Sequence, residues 1–373
     1  MTGEIWIRPN GLLFETGIRP QAVICTPAND LPAFFTNESD LGFDILSAAF
    51  YLVSRYEEYL PFEKDLYGRF PHESSLAFTN GFLDRPLVNE WFERLRQQLG
   101  LPAINEFSLL PTYDIDEAFS LKHKTALRTW GGGIRDLLQF KWGRVRQRWA
   151  VGREKEKDPF DCYDWLHELH RGKAGIDPVY FFHVAEVNGK YDKNNLPGSP
   201  SIRSLIRAHA AKYVIGLHPS WQSGEDENIL KNEKQTLEEI SGGPVIRSRQ
   251  HFIRMLLPET YRRLLGCGIK EDHSMGYGSI NGFRASISSP FYWYDLEKEE
   301  TTGLQVYPFC FMDANSFHEQ KQSPEATLKE IRTYREKIKA VGGMMETIWH
   351  NTYLGTDPLY RGWREVYRQF ILD

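Results

Sequence analysis

From residue 107 onward, short apolar runs alternate with longer amphipathic ones. Strand-like runs fall at 107–113, 178–184, 213–217, 244–248, 303–309 and 344–349, with weaker ones near 268–271 and 282–286. Helical spacing of apolar residues falls between most of them, at 161–171, 200–211, 226–241, 258–266, 324–341 and 358–371. Alternating strands and helices imply a parallel sheet, because each helix must carry the chain back to start the next strand in the same direction. The expected fold is therefore α/β: a distorted (β/α) barrel of seven or eight parallel strands over residues 106–373. Residues 120–160 break the rhythm. They are basic and tryptophan-rich, contain a Gly131-Gly132-Gly133 hinge, and read as an insertion packed over the barrel's rim.

Residues 1–105 read as a separate, small α+β domain. Ile5-Trp6-Ile7 and Ala22-Val23-Ile24-Cys25 are strand-like, and residues 44–59 and 88–99 have helical spacing. Nothing in this region has the spacing of a ligand set. Glu57 and Glu58 are adjacent, so on a helix they diverge by about 100° and make a poor pair for one site.

Composition removes several function classes. The 373 residues carry 45 basic and 50 acidic side chains, a net charge of −5, which argues against coating nucleic acid. The basic run 141–153 reads as a solvated helix face. The four cysteines, Cys25, Cys162, Cys267 and Cys310, form no CxxC pair, so neither a zinc knuckle nor a disulfide framework is indicated. No apolar run approaches the length of a membrane span. The first residues lack the pattern of a secretory signal, and a cytoplasmic location is expected.

In a barrel of this kind the chemistry sits where the strands end. The first strand ends in Thr112-Tyr113-Asp114-Ile115-Asp116. Strand alternation places Asp114 and Asp116 on one side, where two carboxylates repel unless a cation or a shared proton compensates. Later strand ends supply His183, His218 in Gly216-Leu217-His218-Pro219-Ser220-Trp221, then Arg249 and His251, Asp272-His273, Arg284 and finally His350. Two carboxylates and two imidazoles suit a divalent ion with open positions, and such an ion lowers the pKa of bound water. That donor set fits metal-assisted hydrolysis. A surface turn with helix-capping aspartates is the plainer alternative.

These strand ends resemble the motifs of NodB-type polysaccharide deacetylases, carbohydrate esterase family 4. Asp114 and Asp116 are similar to the two aspartates of Thr-Phe-Asp-Asp-Gly, the first a general base and the second a metal ligand. His218 resembles the first histidine of His-Ser/Thr-x-x-His. Arg284 in Gly282-Phe283-Arg284 resembles the arginine that orients the base, with Asp272 as its supporting carboxylate. His350 resembles the general acid of the last motif. The sequence departs from the pattern in three places: Ile115 separates the aspartates, Gln222 stands where the second histidine belongs, and Asp272 precedes Arg284. His251 is the candidate for the missing imidazole.

The resemblance implies a metal-dependent carbohydrate deacetylase acting on the amide of an N-acetyl group, or on an O-acetyl ester. Asp116, His218 and His251 would hold a divalent metal: zinc, or else cobalt or nickel. Asp114, His350, Arg284 and Asp272 would be the catalytic set. Trp221, Tyr277 and Trp293 are candidates for stacking on sugar rings. The missing second histidine keeps open a non-catalytic carbohydrate-binding or scaffold protein on a degenerate barrel.

Overall fold

The structure, a computed structural model, describes residues 4–28, 30–103, 106–122, 137–173 and 175–373. The Gly131-Gly132-Gly133 hinge expected in the insertion lies outside the described residues. The fold is a TIM-like (β/α) barrel of seven parallel strands with helices, at the lower of the two expected strand numbers. Packing density divides the chain into two compact units, Met1–Pro111 with Ile246–Ile348, and Thr112–Val245 with Trp349–Asp373. Residues 1–105 fall in the same compact unit as Ile246–Ile348.

The unit that begins at Thr112 carries the second half of β3 (Ser108–Ile115), then β4 (Val179–Phe182) and β5 (Val214–Leu217). They pair in parallel, with Tyr113 opposite Tyr180 and Tyr180 opposite Ile215. A strand covered on both faces is apolar along its length, and β4, Val-Tyr-Phe-Phe, is buried at every position. The helices Tyr163–His170, Pro200–Ala210 and Glu227–Ser241 fall at the expected places. Asp226 caps the last of these by accepting from the N–H groups of Asn228 and Ile229, and Gly242 ends it at φ 80°, a left-handed conformation that costs glycine nothing. The core under β3 and β4 is aromatic. The Tyr113 ring stacks on Tyr180 with centroids 4.6 Å apart. The hydroxyls of Tyr113 and Tyr367 lie 3.1 and 2.7 Å from His170 Nε2.

The other unit carries β6 (Arg247–Ser248), β7 (Glu271–Met275), β9 (Glu300–Met312) and most of β10 (Met344–His350). Their pairs β6–β7, β7–β9 and β9–β10 are all parallel. The strand expected near 282–286 is a turn. Its place is taken by β8 (Phe291–Asp295), an aromatic strand that pairs antiparallel with β9. In the N-terminal region the strands are β1 (Thr26–Ala28) and β2 (Leu31–Ala33), a short hairpin, rather than the apolar pieces at 5–7 and 22–25.

The helix expected over 44–59 stops early for an identifiable reason. Asp44 caps Ile45–Val53, but Arg55 adopts φ 57°, ψ 43°, and a 3₁₀ turn follows at Tyr56–Tyr59. That break places the side chains of both Arg55 and Glu58 in the protein interior. Around them Phe34, Phe43, Tyr51 and Trp91 pack with Tyr277 and Leu296 in one cluster. Each such side chain contributes about 1.5–3 kcal/mol when buried.

Candidate active site

All the geometry of the candidate site that follows belongs to the unit beginning at Thr112. β3 carries Asp114 on its penultimate residue and Asp116 just beyond its end. Both carboxylates reach His218, as strand alternation requires: Asp116 Oδ1 lies 3.0 Å from His218 Nε2, and Asp114 Oδ2 lies 3.9 Å from it. His218 follows β5 directly, and its N–H donates to the Phe182 carbonyl at 3.0 Å, so the ladder continues one residue past the strand. His350, the last residue of β10, places Nε2 3.8 Å from Asp116 Oδ2. Asp114 and His218 are buried and Asp116 is half-buried. The structure therefore brings Asp114, Asp116, His218 and His350 into one cluster.

Of the supporting residues, His183 was marked by its strand-end position, whereas Asp192, Glu233 and Asn351 carried no sequence signal. His183 continues β4 as His218 continues β5, its N–H donating to the Ile115 carbonyl. Its Nδ1 is 3.1 Å from the His218 carbonyl oxygen, which can only accept, so Nδ1 carries a hydrogen. Its Nε2 faces Asp192 Oδ1 at 3.5 Å. Asp192 in turn accepts from the Trp221 N–H at 2.8 Å and from the Gln222 amide at 3.3 Å. Gln222 also donates to the Val187 carbonyl at 3.3 Å. The residue that stands where the family has a second histidine thus braces the loop after β5. Glu233 holds the same loop from the helix Glu227–Ser241, accepting from the Ser220 N–H at 3.0 Å, and burial pushes its carboxyl above the usual range. Asn351 fixes the chain after His350: its side-chain amide donates to the Glu117 and Phe160 carbonyls, each at 3.1 Å.

Three expected site residues belong to the other unit. Arg284 does not take Asp272 as its supporting carboxylate. Its Nε donates to Glu58 Oε1 at 2.8 Å, its Nη2 to Glu58 Oε2 at 2.5 Å and its Nη1 to the Gly276 carbonyl at 3.2 Å. Arg55 Nε meets the same Glu58 Oε1 at 2.7 Å, which makes a buried Arg–Glu–Arg set. Asp272 instead accepts from the N–H and the hydroxyl of Ser274, both at 2.9 Å, and burial pushes its carboxyl up to about 6. His251 opens the 3₁₀ turn His251–Ile253 and is buried, with its ring 4.6 Å from that of Phe252. Near it in sequence, Arg249 donates to the His273 carbonyl at 2.9 Å and forms a buried ion pair with Glu346.

The expected sugar platforms divide. Tyr277 and Trp293 are core residues, fully buried. Trp221 is half-buried and stacks on Tyr191 with centroids 4.0 Å apart and planes 25° apart.

A divalent ion fits the donors that this unit supplies. Asp116 offers a carboxylate and His218 an imidazole nitrogen 3.0 Å from it, with the second carboxylate of Asp114 close by. A nitrogen approached by two carboxylates sits where positive charge, from a proton or a metal, is favoured. Mixed carboxylate–imidazole sets suit zinc and its neighbours in the first transition row.

Comparison with known proteins adds the following. Residues 1–101 match a family of unknown function, DUF7033. No curated protein matches the chain. Among solved structures, Puue allantoinase is 12% identical, with a TM-score of 0.46 over 84% of this chain and 90% of that one. A protein assigned as a polysaccharide deacetylase from Mycobacterium smegmatis is 16% identical, with a TM-score of 0.43 over 73% and 84%. The polysaccharide deacetylase Bc1974 from Bacillus cereus is 10% identical, with a TM-score of 0.35 over 72% and 88%.

Proposed function

We propose that the chain is a metal-dependent hydrolase that removes acetyl groups from an N-acetylated (or O-acetylated) carbohydrate. The observation that supports this reading is the cluster Asp114–Asp116–His218–His350 at the ends of β3, β5 and β10. Asp116 and His218 would hold the ion, and His251, which opens the 3₁₀ turn after β6, would be the third ligand, in place of the histidine that the resemblance expects at Gln222. When bound, the ion polarises the acyl carbonyl and makes water a stronger acid.

The remaining roles fall to side chains of this protein. Asp114 accepts the proton of the attacking water. His350 donates a proton to the departing amine, which would otherwise leave as a strongly basic anion. His183 and Asp192 hold the His218 loop in place, so that the imidazole is presented in one orientation. The bracing role of Gln222 is the observation that favours the alternative, a carbohydrate-binding or scaffold protein on a degenerate barrel.

One experiment separates the two. The purified chain is dialysed against zinc, freed of excess and analysed for metal, then incubated with N-acetylated chito-oligosaccharide while acetate release is followed. Stoichiometric zinc and acetate release, both lost in His218→Ala, are expected. A wild-type protein that retains no zinc moves the conclusion to the binding protein.

A further inference from the structure

The helix Trp142–Gly152 takes no part in the strand-end cluster and has an unusual surface. It anchors itself through Ala150 and Val151, its only fully buried residues. Trp142, Arg146, Trp149 and Arg153 recur at i, i+4, i+7 and i+11, so they share one face, and all four are exposed. Trp142 is 63% exposed and Trp149 50%. Just before the helix, Leu137, Leu138 and Phe140 are 45%, 75% and 76% exposed. Scattered exposed apolar residues need no explanation, but five large ones exposed within residues 137–149 are a local concentration that water disfavours.

The charge of the segment is equally lopsided. Residues 141–153 contain Lys141, Arg144, Arg146, Arg148 and Arg153 and no acidic residue, in a chain whose net charge is −5. The Arg153 guanidinium lies over the Trp149 ring, 4.1 Å from its centroid, so cation and aromatic ring are presented together.

We propose that this face docks the protein reversibly on an anionic membrane surface. Tryptophan favours the boundary between headgroups and acyl chains, and arginine extends its apolar stem there while its head meets phosphate. A helix with basic and aromatic residues on one face lies in that boundary rather than across it. Among the described residues, no helix is long and apolar enough to cross a membrane. A nucleic acid would use the arginines and stack on the tryptophans, but it would leave Leu137 and Leu138 in water, whereas a bilayer interface buries them. The docking is independent of the hydrolase reading.

The test is co-sedimentation of the full chain with vesicles of phosphatidylcholine alone and with vesicles of equimolar phosphatidylcholine and phosphatidylglycerol. Binding to the second and little to the first is expected, weakening as salt is raised. Two paired variants, Trp142→Ser with Trp149→Ser, and Arg146→Gln with Arg153→Gln, are each expected to lower the partition coefficient about tenfold or more. The substituted side chains are exposed, and an unchanged thermal melt confirms the fold. The proposal is overturned by no binding to the anionic vesicles, by equal binding to both vesicle types, or by variants that bind as wild type does. It is also overturned by a single-stranded oligonucleotide that binds and is not displaced by anionic vesicles.

Discussion

At the scale of single residues, His218 and His350 both lie near Asp116, at 3.0 and 3.8 Å, yet their assigned duties differ. His218→Ala is expected to lose bound zinc. His350→Ala is expected to keep it and to lose about 10²–10⁴-fold in kcat, the usual contribution of a general acid. Elemental analysis beside initial rates checks both, and a His218→Ala protein that holds its zinc removes the assignment. Glu58 poses the opposite case. It is buried between two guanidinium groups: burial alone would raise its carboxyl, and Arg284 and Arg55 together outweigh that and hold it below the usual carboxylate range. Glu58→Ala leaves Arg55 and Arg284 uncompensated, and about 3–5 kcal/mol of stability should be lost in a denaturant titration. Zinc affinity should not change, because the pair is structural. The four clustered residues were legible in the sequence because strand alternation and strand-end position are local properties. The pairing of Arg284 was not legible, because its partner Glu58 lies 226 residues away and no local pattern announces so distant an ion pair.

At the scale of elements, the long helices and buried parallel strands were legible, since apolar periodicity and length decide them. The failures have physical causes. The helix over 44–59 was broken by a left-handed Arg55, whose guanidinium pairs with Glu58 three residues on, the same carboxylate that Arg284 reaches from far along the chain. β6 shrank to two residues, and β8 has an aromatic composition that periodicity alone does not assign. Two helices also carry an acid sensitivity. His170, on Tyr163–His170, and His209, on Pro200–Ala210, are both held down to about 4, chiefly because burial disfavours the charged ring. Their unfolded value is near 6.5. Between about pH 6.5 and pH 4 the unfolded chain binds protons that the folded chain refuses, so stability falls as the solution is acidified through that window. Each histidine accounts for up to about 3 kcal/mol of that loss. His209→Phe keeps the ring contacts with Tyr163 and Tyr180 and removes one of the two titrations. The drop in unfolding midpoint between about pH 7 and about pH 4.5 should be smaller in the variant than in wild type. An equal drop would assign the acid sensitivity elsewhere.

At the scale of the whole molecule, the barrel class was legible from the alternation of strands and helices. The composition shift near residue 105 suggested a separate N-terminal domain. Residues between Leu12 and Trp91 share one core cluster with Tyr277 and Leu296, with Ile280, Ile287 and Tyr294 packed against it. Deleting residues 1–101 should therefore expose those side chains and leave Arg284 without Glu58. The truncated protein is expected to aggregate, or to unfold without a cooperative transition. Size exclusion with light scattering checks this, and a monomeric fragment with a sharp melt would show that the region is dispensable for folding.

The same arrangement sets a schedule for biosynthesis. The residues that complete the core around Met1–Pro111 begin at Ile246, so residues 112–245 must be made before that core has its partners. At translation rates of about 5–20 residues per second, the delay is about 7–27 s. Throughout that interval the nascent chain carries an unfinished aromatic surface and a Glu58 whose partner Arg284 does not yet exist. Efficient production should then depend on ribosome-associated chaperones and on what the intervening stretch does while the first segment waits.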